Sequence, residues 1–311
     1  MKKVKIKELS NTVIVLAALV VLGIALSVAS PYFATQNNLI NIVLQAAINA
    51  TLACGMTFVI LTGGIDLSVG SVLAFAGILF GTMLKSNVPL PAALLLCVLI
   101  GGICGLINGL LVTCVNLPAF IATLGMMSIA RGGALYLADG RAISGFSGRL
   151  NFIGNGSFLG IPVMILIMIV TFIIGMFILR FTCAGRYIYA IGGNVEATRL
   201  SGINTNRFTI LVYIICGITS GLAAVMLTAR LDSAQPVAGE GYEMNAIAAT
   251  VIGGTSMSGG EGRLSGTIIG ALFIAVLNNG LNLLNVSSYI QQIVIGLVIV
   301  GAVTFDRIRS K

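Results

Sequence analysis

The sequence predicts an all-α membrane protein: about ten transmembrane helices, some broken or short, with both termini cytoplasmic. Three observations predict it. Of 311 residues, 58% are hydrophobic and 8% charged, about a third of the charged share of an ordinary soluble domain, so most of the chain has to face lipid or itself. Apolar runs long enough to cross about 30 Å of hydrocarbon recur along its length. Lys and Arg stand between those runs and are unequally divided between the two sides that alternation defines. The abundance of Gly (39 residues) and the absence of Trp and His suit closely packed membrane helices.

The first run, 13–29, follows a basic leader, residues 1–12, with Lys2, Lys3, Lys5 and Lys7. It has the outline of a signal peptide. Its length, and the runs that follow, make it an uncleaved anchor. Further runs lie at 39–61, 67–84, 90–115, 118–137, 161–179, 208–229 and 267–284. Segment 245–252 is too short to span alone and 290–303 is marginal; counted as the eighth and tenth spans, they complete the ten. Two polar stretches, 139–160 and 232–243, fall outside as periplasmic loops, and 182–207 falls inside, within one transmembrane domain covering 1–311. The stretch from Gly63 to Gly70 recurs loosely between Gly253 and Gly260, but the identities are mostly Gly and Ser, too few to establish an internal repeat.

With both ends inside, twelve of the 17 basic residues are cytoplasmic: Lys2, Lys3, Lys5, Lys7, Arg180, Arg186, Arg199, Arg207, Arg263, Arg307, Arg309 and Lys311. Lys85, Arg131, Arg141, Arg149 and Arg230 remain on the outer side. Basic residues concentrate in the cytoplasm, so an even number of spans is favoured.

Several functions are disfavoured. The net charge of +8 comes from residues scattered singly, without the interleaved aromatics of a nucleic-acid surface. The six cysteines form no CxxC pair, so neither a metal site nor a disulfide framework is indicated. A phosphate-binding P-loop needs Lys followed by Ser or Thr after a Gly-rich turn, and Lys85, the only Lys outside the terminal segments, follows Leu84. No paired carboxylates or nucleophile and base suggest an enzyme. Within the spans only Asp66 and Arg131 are ionisable, which gives ion coupling little support. Movement of a solute would then be passive or driven by a separate ATPase.

Polar side chains that remain inside the spans form stripes. Asn278, Asn282 and Asn285 recur at i, i+4 and i+7 and share one helical face within about 40°, whereas Asn279 points about 100° away. Asn41, Gln45 and Asn49 make a similar stripe on the second span. Amides in lipid either exchange hydrogen bonds with passing hydroxyls or bond neighbouring helices together; the pattern alone leaves both open. Asp66, after Gly63 and Gly64, reads either as a helix cap or as part of a gate in a Gly-rich break.

The motifs themselves are more specific. Thr62-Gly63-Gly64-Ile65-Asp66-Leu67-Ser68-Val69-Gly70-Ser71 resembles the signature segment of permeases from ribose-type ATP-binding-cassette importers. So does Gly185-Arg186-Tyr187-Ile188-Tyr189-Ala190-Ile191-Gly192-Gly193-Asn194, continuing through Ala197-Thr198-Arg199-Leu200-Ser201-Gly202-Ile203. Ser233-Ala234-Gln235-Pro236 and the stretch from Leu277 to Leu284 are similar to the same family, in matching order.

The resemblance implies a bacterial inner-membrane permease for a monosaccharide, with ribose the first choice and other pentoses or hexoses open. It implies two permease copies, a homodimer first, and a cytoplasmic ATPase with two fused nucleotide-binding domains. It also implies a periplasmic or lipid-anchored sugar-binding protein. ATP and Mg would be bound by the ATPase, and this chain would hold no cofactor. Gln45, Asn49, Asp66, Asn278, Asn282 and Asn285 are the candidate substrate pathway. Arg186, Gly192, Gly193, Asn194, Glu196, Arg199, Ser201 and Gly202 lie where the family docks its ATPase; Glu196 and Arg199 are spaced to share a face of a short helix, which Asn194 would cap. Arg141, Arg149, Arg230, Asp232, Glu240 and Glu243 in the outer loops suit docking of the binding protein. The alternative is a passive sugar facilitator that needs no ATPase.

Overall fold

The computed structural model describes residues 2–146 and 148–309, and the side chains of these apart from 2–12, 302 and 305–309. Its elements run α1 (Lys2–Ala29), α2 (Gln36–Leu61), α3 (Val69–Lys85), α4 (Leu90–Thr113), α5 (Ala119–Leu137), β1 (Ile143–Ser144), α6 (Asn151–Gly154), β2 (Ser157–Phe158), β3 (Ile161–Pro162), α7 (Val163–Phe181), α8 (Cys183–Gly193), α9 (Val195–Leu200), α10 (Thr205–Leu231), β4 (Ser233–Ala234), α11 (Tyr242–Ile252), α12 (Leu264–Leu283) and α13 (Ser288–Arg309). Helix is what lipid demands, since no water is present to satisfy a free backbone amide. Prolines mark three starts: Pro89, Pro118 and Pro162 immediately precede α4, α5 and α7, where a missing N–H costs nothing.

Every run expected from the sequence coincides with a helix to within two residues at each overrunning end. Among the described residues, α2, α4, α5, α7, α10 and α12 are long and apolar enough to cross a bilayer, while α1, α3 and α13 carry shorter apolar stretches. α11 has 11 residues, as the eighth run suggests. The stretch at 139–160 is irregular, with β1, α6 and the β2–β3 hairpin, whereas 182–207 is largely helical in α8 and α9. The leader, 1–12, lies within α1 from residue 2, and its side chains lie outside those described.

α2 and α10 form the centre. Every residue of α2 from Ala46 to Leu61 is buried, as a helix surrounded by protein requires. α4, α5 and α7 bury a stripe and turn Leu95, Ile103, Ile129, Ile173 and Phe177 outward, the surface left for lipid. Apolar contact gains little between helices that lipid would solvate equally well, so their association rests on close packing. Gly101, Gly105 and Gly109 make an i, i+4, i+8 face on α4 that lies directly on α10. A Cβ on Gly101 would fall on the Gly217 carbonyl oxygen, one on Gly105 on that of Tyr213, and one on Gly217 on that of Gly101. α11 and α12 meet likewise, Gly253 against Gly266 and Gly270 against the Ala249 carbonyl.

Polar bonds complete the packing. Thr57 and Thr267 hydroxyls join α2 to α12 at 2.8 Å. Arg131 Nη1 donates to the carbonyls of Pro236 and Ala238 at 2.7 and 2.8 Å and so fastens the 232–241 loop to α5. β1 pairs antiparallel with β4, Ile143 opposite Ala234 and Ser144 opposite Ser233, which joins the loops at 139–160 and 232–243. The two Gly-rich stretches also meet: Gly260 N–H donates to the Leu61 carbonyl at 2.9 Å, and a Cβ on Gly259 would come within 2.9 Å of Gly63 N.

Gly105→Val would drive α4 from α10, and overpacking of this kind costs about 1–3 kcal/mol. The melting temperature of the detergent-purified protein should fall by about 3–10 °C. Gly132→Ala, whose added Cβ meets nothing within 4 Å, should leave it unchanged.

Candidate functional site

A cavity of about 490 Å³ opens at the end of the bundle where α10 and α12 finish and α11 and α13 begin. The two sequence stripes converge on it: α2 contributes Gln45 and Asn49, and α12 contributes Asn278 and Asn282. Gln235, Asn245, Gln291 and Gln292 line it too. The i, i+4 pattern does not reveal these four, because each stands alone or beside one neighbour; the available signal is simply an amide in an apolar setting. Arg230 is the charged residue of the lining, and no carboxylate belongs to it.

The amide oxygens of Asn49, Asn245 and Asn278 are buried without a hydrogen-bond partner. Such groups are costly to leave unsatisfied, by about 1–3 kcal/mol each. A half-turn of a carboxamide exchanges its oxygen and NH₂ with little change of shape. These side chains can therefore offer either a donor or an acceptor to a hydroxyl entering the cavity. Asn282 is already engaged, its Oδ1 accepting from Gln291 Nε2 at 2.8 Å.

Neighbouring amides separate the two roles left open by the pattern. Asn279, one residue from Asn278, forms a reciprocal pair with Asn38 of α2 at 2.8 and 3.0 Å. This amide binds helices together. Asn41 is exposed and Asn285 lies exposed in the turn after α12 with φ 55°; neither lines the cavity. Asp66 does not line it either. Buried in the break between α2 and α3, its Oδ1 accepts from Ser68 N at 2.9 Å and Ser68 Oγ at 2.6 Å, while Asn108 Nδ2 donates to the same Oγ at 2.9 Å. Ser68 is the N-cap of α3, so the carboxylate fixes the turn that leads into the helix.

At the opposite end, α9 is a short projecting helix. Asn194 Oδ1 accepts from Ala197 N at 2.9 Å, the cap expected from the sequence. Glu196 and Arg199 share an exposed face at 3.6 Å. Ser201 Oγ donates to the Ala197 carbonyl at 2.8 Å, and Gly202, at φ +82°, ends the helix as a left-handed residue. Leu200 is 85% exposed and Val195 46%, an apolar tip that its few charged neighbours do not advertise. Arg186 is exposed, its Nη2 donating to Cys183 Sγ at 2.9 Å. Gly193 has open space around it, but Gly192 is pressed onto the Leu61 carbonyl and the Gly260 amide. α8 is thus seated on the end of α2, the helix that carries Gln45 and Asn49.

Of the charges in and beside the 139–160 and 232–243 loops, Arg141, Arg149, Asp232 and Glu240 are exposed, Arg149 donating to the Leu84 carbonyl and to Asn87 Oδ1 at 3.3 and 3.1 Å. Arg230 and Glu243 turn inward: Arg230 faces the cavity, and Glu243 Oε1 accepts from Gly241 N at 3.2 Å.

Residues 38–303 match the family described as branched-chain amino acid transport system / permease component. The chain is 49% identical over 293 residues to a ribose import permease protein of Haemophilus influenzae, covering 93% of this chain and 91% of that protein. Against the ribose import permease protein of Escherichia coli K12 it is 48% identical over 295 residues, with 94% and 92% covered. Against that of Bacillus subtilis the values are 49% over 294 residues, with 94% and 91% covered. No solved structure matches.

Asn279→Leu should leave Asn38 bonded only to the Phe33 carbonyl, its Oδ1 unpaired, and lower the yield of folded, monodisperse protein, by about 1–2 kcal/mol of stability. Asn278→Leu, one residue away, should leave the yield unchanged. Size-exclusion chromatography of the two purified variants compares them directly.

Proposed function

We propose that this chain, which belongs to the permease-component family of branched-chain-type transport systems, is the membrane-spanning permease of an ATP-driven importer that carries ribose into the cytoplasm. The chain is a transporter subunit and not an enzyme. The cargo is read from its relatives, which are named as ribose import permeases at close to half identity over nearly the whole chain. The single observation in the fold that supports it is the amide cavity. Its volume lies within the range of about 300–1,000 Å³ usual for small-molecule sites. Its lining, mostly neutral amide donors and acceptors beside Arg230, suits a polyhydroxylated, uncharged solute.

The arrangement supports a division of labour along the bilayer normal. All ten apolar helices cross or enter the membrane, both termini face the cytoplasm, and the membrane is the bacterial inner membrane. The amide cavity then faces the periplasm, where a sugar-binding protein, soluble or lipid-anchored, delivers the sugar against the loops at 139–160 and 232–243. Below the cavity the buried half of α2, closed by the Gly192, Leu61 and Gly260 contact, forms the seal. α9 is the knob that docks in an ATPase with two fused nucleotide-binding domains, which bind ATP and Mg, and its apolar tip at Val195 and Leu200 fits such a contact. A second copy of the permease completes the passage as a homodimer. The facilitator reading is less favoured, because a passive carrier has no use for a capped, projecting helix seated on a cavity helix.

In cells that retain the ATPase and binding protein, Gln45→Leu or Asn278→Leu should lower ribose uptake at least tenfold, about 1.4 kcal/mol or more at the rate-limiting step, with normal assembly. Uptake of labelled ribose measures it, and an unchanged rate in both variants would remove the cavity from the pathway. Glu196→Lys combined with Arg199→Glu should leave the permease inserted and ATP hydrolysed while uptake is lost. Purified chain alone in liposomes should not equilibrate ribose; equilibration would mean a facilitator.

A further inference from the structure

Leu227, Arg230 and Leu231 line the amide cavity from the end of α10, spaced i, i+3 and i+4 so that one helical face meets the opening. Arg230 is half-buried there. Among the described residues its guanidinium makes no hydrogen bond and no ion pair. The Tyr242 phenol, at the start of α11, is the ionisable group close enough to act on it, and a phenol is neutral at physiological pH. A guanidinium carries N–H donors in a planar fork and accepts nothing. Partly withdrawn from water, such donors are costly to leave without acceptors.

The same cavity holds acceptors that lack donors. The Oδ1 atoms of Asn49, Asn245 and Asn278 are buried and unpartnered, and Asn49 and Asn245 are 8% and 9% exposed. The arginine and these oxygens do not bond one another, so a ligand has to join them. A hydroxyl does so at a single atom: its oxygen accepts from the guanidinium while its own proton goes to an amide oxygen. A carboxylate only accepts; it could meet the amides through their NH₂ groups alone and would leave their oxygens unpaired. Two adjacent hydroxyls offer the planar fork two oxygens side by side, the arrangement it grips best.

We infer that Arg230 is the specificity-determining residue of this cavity, its guanidinium fork holding two neighbouring hydroxyls of the sugar and so selecting solutes that carry a vicinal diol. This deepens the importer reading above and rests on the amide cavity being the path of the solute. A basic residue in the last turn of a helix also complements the negative end of the helix dipole. Lysine does that equally well but lacks the fork, which makes Arg230→Lys the discriminating variant.

The test is saturation-transfer NMR on the purified full chain in detergent, which reads weak sugar binding without the ATPase or the binding protein. 3-Deoxyribose lacks the middle one of the three secondary hydroxyls of ribose, and with it both neighbouring pairs. The wild type should bind ribose about tenfold more tightly than 3-deoxyribose, the size expected for hydrogen bonds to a charged group. Arg230→Lys should cut the preference to about threefold or less, and Arg230→Met should abolish it; if the methionine variant does not fold, the lysine variant decides. A wild-type preference in Arg230→Lys would overturn the inference and leave only the role at the helix end. Equal binding of the two sugars by the wild type would overturn it too, as would no detectable binding of ribose. Tighter binding of ribonate than of ribose would also overturn it, marking a carboxylate site. Failure of the importer reading shows separately: cells that take up ribose without this preference in the purified chain sink the inference alone, whereas the preference without uptake sinks the cargo alone.

Discussion

Where α4 crosses α10, backbone meets backbone. Gly101, Gly105 and Gly217 bring carbonyl oxygens and α-carbons into direct contact, and the remaining architecture depends on that closeness. In lipid the expulsion of water cannot hold helices together, so association has to come from the density of contact and from a few polar bonds. A side chain at any of these positions would hold α10 off α4. It would thereby shift α2, which packs on α10 through Gly55 against Cys216 and Thr219, and with it Gln45 and Asn49.

The amides illustrate how position along one helix separates structure from use. Asn278 and Asn279 are adjacent, have the same chemistry and lie at the same depth. One completes a reciprocal pair with Asn38, and the other reaches a cavity with its oxygen unpaired. A neutral amide is a tolerable residue to leave in such a position, because it carries no charge to desolvate. The cavity accordingly collects amides where an ion-coupled carrier would need carboxylates. Arg131 and Asp66, the charged residues that the sequence places within spans, are both consumed locally, one by two loop carbonyls and the other by a serine turn.

Much of this was legible from the residues alone. Each apolar run became a helix, Asn194 capped α9 as its position suggested, and the Glu196 and Arg199 spacing put them on one face. The stripes of α2 and α12 were legible as stripes because period 3.6 is written in the chain, and the angular offset of Asn279 correctly separated it from Asn278. What the sequence did not carry was the way separate helices meet. Asn245, Gln291 and Gln292 become part of one lining only after α11 and α13 are placed beside α12, and Asn285 leaves the stripe because α12 ends at Leu283, two residues before it. The loose kinship of the stretches after Gly63 and after Gly253 was too weak to interpret by identity; their contact in space shows that each is a turn ending a helix against the other.

α10 has 27 residues, a rod of about 40 Å. One end follows the projecting helix α9 by a short link whose Asn204 Oδ1 caps it, accepting from Arg207 N at 3.1 Å. The other end passes through Asp232 directly into β4 and its pairing with β1. Near the middle, at Gly217, the rod is pinned to α4 by backbone-to-backbone contact with Gly101. A stiff rod held near its midpoint is a lever, and the glycine crossing is its fulcrum. A tilt about that point would send the two ends in opposite directions, so that a displacement at the α9 end would arrive at the β4 end reversed in sign, with no intervening chain of side chains needed to transmit it.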